Sequence, residues 1–558
     1  MFKKLLFLMA LSLLLVFAAC SNDSESTTNT NDGDDSSDAA DTELESVTFH
    51  FFNAAAPGRD IETKDTVIGE MLYERTGVNF RLEHIVGDIN QRIGTMVAGG
   101  IYPDVIVPDA ELPTLMDAEA LIPLDDLLEE YGQNILEAYA DYLHMFRHDD
   151  GKIYHIPFGP TVNEFVPNPN IDQGAFWVQL GVLRDAGFPE INTLDEYMDL
   201  IISYAEANPE IDGMRTIPFT GLTYDWRFFA FSNVPNHLAG YPNDGGVMID
   251  METHEASVYA DSEYAKEWLR VLNELNANGH LDQEMFVMNY DEYLAKLSSG
   301  RVLGFFDYGW QFGNARNAIR DAGNPDREYI ALPVVFDGVE KDQYLDPPAF
   351  VGNRGIAITT AAENPERIVQ FWNELITEEM QRYVMWGFED EHYSVNEEGR
   401  FYQTEEQMAL LENQDFRQEF GMTVFEWNWP RLNGSFSDGN AIEARRQPEV
   451  ALLAYRDYEK EVLEAYGVNT FAEMFAQPDE RPWYPAWSIT IEQGSPEHIF
   501  QERSSELLRR HYARIVLADP TDFENEWNDF VEAYRALDVE GYENFFTEKV
   551  QARVNGEW

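Results

Sequence analysis

The stretch RTGVNFRLEHIVGDINQRIGTMVAGGIYPDVIVPD, from Arg75 to Asp109, decides the fold class. Val78 to Ile85 reads as a strand, Asn90 to Ala98 as a helix closed by Gly99-Gly100, and Val105 to Val107 as a short buried strand bounded by Gly and Pro. The carboxyl end of that last strand delivers Asp109, and in open parallel sheets such ends face the ligand crevice. Upstream, Ser46 to Phe52 (SVTFHFF) is a β-rich run that enters the loop from Asn53 to Gly58. Thr66 to Thr76 then places Val67, Ile68, Met71 and Leu72 at helical spacing and is closed by Gly77. The order strand, helix, strand, helix, strand predicts right-handed crossovers and a parallel sheet, with Asn53 and Asp109 on neighbouring strand-end loops.

The chain has 558 residues, more than one hydrophobic core organises, so at least two lobes are expected. Its 38 Lys and Arg against 101 Asp and Glu give a formal net charge of -63, which excludes nucleic acid as a partner and opposes electrostatic attraction to anionic lipid surfaces. The carboxylates are spread along the whole chain, a pattern that fits a salty or alkaline medium, where ions screen self-repulsion. Cys20 is the single cysteine, so no intrachain disulfide forms.

The position of Cys20 explains it. Met1 to Lys4 is a short basic segment, Leu5 to Phe17 is apolar but too short for a comfortable membrane span, and Ala18-Ala19-Cys20 follows. The arrangement resembles a bacterial lipoprotein signal over residues 1–20, which implies lipidation of Cys20, attachment to the membrane through that lipid, and residence on the outer face of the bacterial cell membrane. Residues 21–45 are rich in Ser, Thr, Asn and Asp without Lys or Arg, a composition that cannot bury a core and reads as a solvated tether.

Four phrases recur in a meaningful order: Arg75-Thr-Gly-Val, Gly99-Gly-Ile-Tyr-Pro-Asp-Val, Leu121-Ile-Pro-Leu-Asp-Asp and Asp150-Gly-Lys-Ile-Tyr-His-Ile-Pro. Together they resemble family 1 extracellular solute-binding proteins, within it the large lipoprotein branch typified by the LplA-like proteins, the ligand receptors of sugar-importing ABC transporters. The resemblance extends over about residues 45–400 and implies an α/β fold of two lobes, the type II periplasmic-binding-protein-like fold, each lobe a mainly parallel sheet flanked by helices. It places residues 46–157 and about 301–400 in lobe 1, and 158–300 and about 401–558 in lobe 2, with the first crossing at Ile156-Pro157. In the same reading, the strand led by Gly300 returns to lobe 1 and hands Asp307-Tyr308-Gly309-Trp310 to the cleft. Relatives carry a loop that looks like a calcium site where this chain has Asn208 to Pro218. Here only Asn208, Glu210 and Asp212 supply side-chain oxygens, so no bound calcium is expected.

No motif demands a reaction: the chain has no H-E-x-x-H, no G-x-S-x-G and no Gly-rich phosphate loop with a Lys. His144 and His148 stand four apart but lack a third ligand at motif spacing, so neither metal nor cofactor is expected. Aromatic residues make up 13%, including 12 Trp and 27 Tyr, which suits a cleft where flat rings pack on the apolar faces of sugars. Most must still be core; on the amphipathic run from Asp261 to Leu275, Trp268 shares a face with Ala265, Leu269, Leu272 and Leu275. Loops single out Tyr224, Trp226 and Arg227, then Tyr308 and Trp310, then Trp427, Trp429 and Arg431 in FEWNWPRLNG, as candidate ligand contacts. The expected function is capture of an oligosaccharide by a monomer that presents it to permease subunits. A secreted carbohydrate-active enzyme and a surface sugar sensor share the same composition.

Overall fold

The computed structural model describes residues 45–556 apart from 57, 149, 346–349, 480 and 484. The expected signal, Cys20 and the tether up to residue 44 lie outside the described residues. Among the described residues no helix is long and apolar enough to cross a membrane.

The stretch from Arg75 to Asp109 folds as its pattern dictates. Val67–Thr76 is a helix whose N-cap Thr66 accepts from the Gly69 amide, and it closes on Gly77 at φ 69°, a left-handed conformation that glycine adopts without strain. Val78–His84 then pairs in parallel with Val47–Asn53, the helix Ile89–Gly99 crosses over, and Val105–Val107 pairs in parallel on the other side of Val47–Asn53. A six-stranded sheet results, in the order Ile61–Glu62, Val78–His84, Val47–Asn53, Val105–Val107, Gly355–Ile358, His155–Pro157. Gly355–Ile358 runs antiparallel to both its neighbours. Its reversal leaves Val78–His84, Val47–Asn53, Val105–Val107 and His155–Pro157 sharing one direction.

A second, four-stranded sheet has the order Ile217–Thr220, Val302–Tyr308, Gly174–Gln179, Tyr329–Leu332. Here Gly174–Gln179 is the reversed strand, antiparallel to both neighbours, while Val302–Tyr308 runs parallel to Ile217–Thr220. Each sheet has its own apolar core. Phe51, Phe80, Trp372, Trp386 and Trp429 are buried in the first, and Phe176, Trp268, Phe305 and Tyr512 in the second. The Ala265, Trp268, Leu269, Leu272 and Leu275 face is buried on the helix Glu263–Ala277, which fixes Trp268 as core. Thr193 and Glu196 form the reciprocal capping box at the start of Leu194–Ala207.

Two lobe assignments need correction. Residues 301–332 belong to the second lobe rather than the first, because Val302–Tyr308 is a fully buried strand paired on both edges inside the second sheet. Residues 401–450 belong to the first lobe, since Phe401, Phe420, Phe425, Trp429, Phe436 and Val450 are buried in its core. The last second-lobe segment starts near Tyr455 and includes the helices Pro496–Leu517, Phe523–Arg535 and Val539–Val554. The chain therefore crosses between lobes at 158–173, between Leu345 and Phe350, and at 451–454, and the first crossing lies beyond Ile156-Pro157, which still pairs in the first sheet. Asn208 to Pro218 holds a short hairpin, Glu210–Ile211 against Met214–Arg215, turning at Asp212.

Candidate functional site

At the carboxyl end of Ile217–Thr220 the chain makes a turn at Asp225–Arg227 and enters the helix Phe228–Ser232. This turn lifts Trp226 into solvent at 60% exposure, and Trp310, beyond the end of Val302–Tyr308, is 50% exposed. The two indoles are parallel within 10° with centroids 6.0 Å apart, and the half-buried Phe229 lies parallel to both, 6.0 Å from Trp226 and 6.2 Å from Trp310. The guanidinium of Arg227 sits between ring faces, 4.7 Å from Trp226 and 4.0 Å from Tyr290, and pairs with the Asp225 carboxylate. Arg509 donates to the Thr223 carbonyl at 2.9 Å and to the Asp225 carbonyl, pinning the turn from behind. Tyr224 stands exposed at the turn's start.

Two groups support this cluster from below. Tyr308 is buried, and its hydroxyl lies 3.2 Å from His237 Nε2 and 3.4 Å from Asn233 Nδ2, so it backs the platform instead of forming its surface. Burial lowers the His237 pKa to about 3, so its ring is neutral. Asp307 is fully buried and accepts from Tyr293 Oη at 2.7 Å, the Tyr308 amide at 2.7 Å and Gln311 Nε2 at 2.8 Å. Burial nevertheless pushes its carboxyl up to about 7.

Trp310 is tied to the first crossing. The Gly309 and Trp310 amides donate at 3.2 Å to the carbonyls of Gln173 and Asp172. A Cβ at Gly309 would lie 2.7 Å from the Ile171 carbonyl oxygen, so only glycine lets the turn approach this closely.

In the first lobe the loop after Met422–Phe425 splits its two tryptophans. Trp427 is 46% exposed, with the Arg431 guanidinium 4.1 Å from its ring centroid. Trp429 is 1% exposed and packs against Phe51 at 4.8 Å and Phe80 at 5.2 Å, donating its indole N–H to the Val424 carbonyl. It is a core residue and no ligand contact, because the loop folds back over the first sheet. Arg431 is buried as well; it donates to the Glu426 carbonyl at 3.3 Å and lies 3.7 Å from Glu443.

Glu443 is the junction of an ion cluster. It accepts from Arg445 Nε at 2.9 Å and Arg446 Nε at 3.1 Å, Arg445 reaches Asp172 at 3.3 Å, and Arg446 donates to the Val166 carbonyl at 2.9 Å. Burial alone would raise the Glu443 carboxyl, but Arg445, Arg431 and Arg446 outweigh it and hold the group at about 2. A continuous path of contacts therefore runs from Trp427 through Arg431, Glu443, Arg445 and Asp172 to Trp310. The exposed rings of both lobes flank one crossing.

Asn53 and Asp109 lie at the carboxyl ends of adjacent strands, as their pattern implied. Asn53 is buried and its Oδ1 accepts from the Ala55 amide at 3.0 Å, so it shapes the loop. Asp109, at φ 50°, pairs with Arg354 at 3.0 Å. Phe229, Tyr290, Asp225, Asp172 and Glu443 were missed by sequence reasoning. Weak signals existed: Asp225 and Arg227 flank Trp226, and Glu443 precedes Arg445-Arg446. His148 lies 3.4 Å from His155 Nδ1, and among the described residues no three His, Cys, Asp or Glu side chains form a metal-holding group. A separate pocket of about 360 Å³, lined by Arg215, Asn276, Asp282 and Arg301 among others, lies at the opposite end of the second-sheet strands from the aromatic cluster.

Two mixed α/β lobes joined by three crossings define a two-lobe solute-binding protein with the type II periplasmic-binding-protein-like fold. The family model described as bacterial extracellular solute-binding protein matches residues 70–388, more than half of the chain, and the chain belongs to that family. It is 24% identical over 346 residues to the fructooligosaccharide ABC transporter substrate-binding protein FusA of Streptococcus pneumoniae, an alignment that spans 58% of this chain and 59% of that relative. The structure of FusA in complex with kestose superposes with a TM-score of 0.67 at 16% identity, covering 92% of this chain and all of that one. An HMO-binding, ABC-transporter-associated solute-binding protein from Bifidobacterium longum infantis gives 0.62 at 13% identity, with the same coverage of both chains. The alginate-binding protein AlgQ2 gives 0.60 at 13% identity over 91% of this chain and 98% of that one.

Proposed function

We propose that this chain captures an oligosaccharide between its lobes and delivers it to the permease subunits of an ABC importer. The observation that carries this reading is the convergence of exposed indoles from both lobes, Trp226 and Trp310 on one side and Trp427 on the other, upon the first crossing. Flat rings pack against the apolar faces of sugars, and rings on either side of a hinge meet the same ligand when it bends. The family is one of extracellular binding proteins, and the relative FusA is named for fructooligosaccharides, which supports the same ligand class here. The proposed protein is a monomer, lipid-anchored at Cys20 on the outer face of the membrane, with residues 21–45 as its tether.

Binding rather than turnover fits the carboxylates nearest the rings. Asp307 is buried beneath three donors and out of reach of a glycosidic bond, so Asp225, paired with Arg227, lacks there the second carboxylate that glycoside hydrolysis uses. A thermal-shift and calorimetric screen against neutral oligosaccharides tests the proposal. At least one should raise the melting temperature without being hydrolysed, and Trp310→Ala should weaken its binding by roughly tenfold or more. Hydrolysis of the bound sugar, or an affinity unchanged in Trp310→Ala, would sink the reading.

A further inference from the structure

The cations beside the exposed rings are occupied. A carboxylate-bearing sugar needs a guanidinium or ammonium whose charge is not already compensated, because an anion that leaves water requires a charged hydrogen-bond partner. Arg227 lies against the Trp226 and Tyr290 rings, and its Nη1 pairs with the Asp225 carboxylate. The Asp225 carboxylate also accepts from the Arg227 amide at 3.0 Å, which holds the pair in register. Arg431 is buried under Trp427 and faces Glu443 and the Glu426 carbonyl. Arg445 is shared between Asp172 and Glu443, and Arg354 is taken by Asp109. Arg227, Arg431, Arg445 and Arg354 thus each have a carboxylate partner, and Arg509 behind the turn donates to the Thr223 and Asp225 carbonyls.

The wider field acts in the same direction. With 101 Asp and Glu against 38 Lys and Arg, an acidic glycan approaches against repulsion that only salt relieves. The rings themselves offer apolar faces and no charge.

From this charge pairing we infer that the ligand is an oligosaccharide without carboxylate groups, and that Asp225 is the residue that excludes uronic acids, by compensating the charge of Arg227. The inference rests on the oligosaccharide reading above. It concerns specificity, so Asp225 acts through Arg227 and is a positioning residue. Its backbone, at φ 41°, lies in the left-handed region that Asn tolerates as well as Asp, which makes Asp225→Asn the conservative way to release the guanidinium.

The test is calorimetry on the full chain at low ionic strength, using neutral oligosaccharides of two to six rings and the same compounds oxidised at C6 to uronates. Wild type should bind a neutral member at least about tenfold more tightly than its uronate, the discrimination expected when a charged group lacks its partner. In Asp225→Asn the ratio of uronate to neutral affinity should rise by about tenfold, as Arg227 loses its counter-charge. A wild-type protein that binds the uronate as tightly as the neutral sugar overturns the inference, and so does a ratio unmoved by Asp225→Asn. The wild-type ratio decides the matter by itself if the variant does not fold. Absence of binding by every compound in the panel overturns the oligosaccharide reading and this inference with it, an outcome distinct from binding with the wrong charge preference.

Discussion

The two exposed aromatic surfaces stand on opposite kinds of electrostatic support. Beneath Trp427, Arg431 leads to Glu443, whose carboxylate is surrounded by three arginines and held near pKa 2. Beneath the Trp226–Trp310 platform, Asp307 meets only neutral donors in its direct contacts and is pushed by burial up to about 7. One carboxylate stabilises its lobe only when ionised, the other more when protonated. The same side-chain chemistry thus acquires opposite pH responses from its neighbours, and the two lobes can be probed separately.

The largest effect should come from the tryptophan that merely resembles a site residue. Trp429→Ala leaves a cavity among Phe51, Phe80, Phe371 and Phe425 and should destabilise the first lobe by about 3–5 kcal/mol, measured by urea unfolding. Trp427→Ala, two residues away and half exposed, should cost well under half of that; equal losses would break the distinction between platform and core.

Glu443→Gln comes next. Its folded pKa is depressed from an ordinary glutamate value, so the stability it contributes is fully present above about pH 4.5 and is lost as the pH falls toward 2. Wild type should therefore lose about 3 kcal/mol between pH 5 and 2 that the Gln variant has already lost at pH 7. Parallel stability profiles for the two proteins over that range would show that the arginine cluster stabilises nothing.

The smallest effect belongs to Asp307, where the sign reverses. Its folded pKa is raised above that of an unfolded aspartate, so its contribution is full below about pH 4 and disappears as the pH rises through 7. The second lobe should lose about 1 kcal/mol between pH 6 and 8, and Asp307→Asn should flatten that slope. Tryptophan fluorescence of Trp310, two residues beyond the Tyr308 amide that Asp307 holds, offers a local readout. A slope identical in variant and wild type would assign the pH dependence elsewhere.

Much of the fold was legible because local signals agreed. Gly77, the Thr193–Glu196 box and the Trp268 face each had a mechanism readable from spacing, and each appears in the structure. The lobe boundaries were not, because Val302–Tyr308 carries no mark of the sheet it joins. Its seven buried residues suit the middle of any sheet, and long-range pairing with Ile217–Thr220 and Gly174–Gln179 made the choice. The candidate site was legible in part. Trp226, Trp310 and Trp427 lay in loops of the right composition, but Trp429 stood in the same loop and went to the core.

By itself, then, the sequence determined the strands and helices of the first βαβ stretch, several caps, the acidic balance, and a short set of loop aromatics, since these follow from periodicity, turn chemistry and charge within a few residues. Only the tertiary structure decided which sheet received Val302–Tyr308, which tryptophan of FEWNWPRLNG met solvent, and which carboxylates met arginine. Those outcomes depend on groups far apart in the chain, such as Asp172 beside Arg445 and Phe51 beside Trp429, whose contact exists only once both lobes have folded.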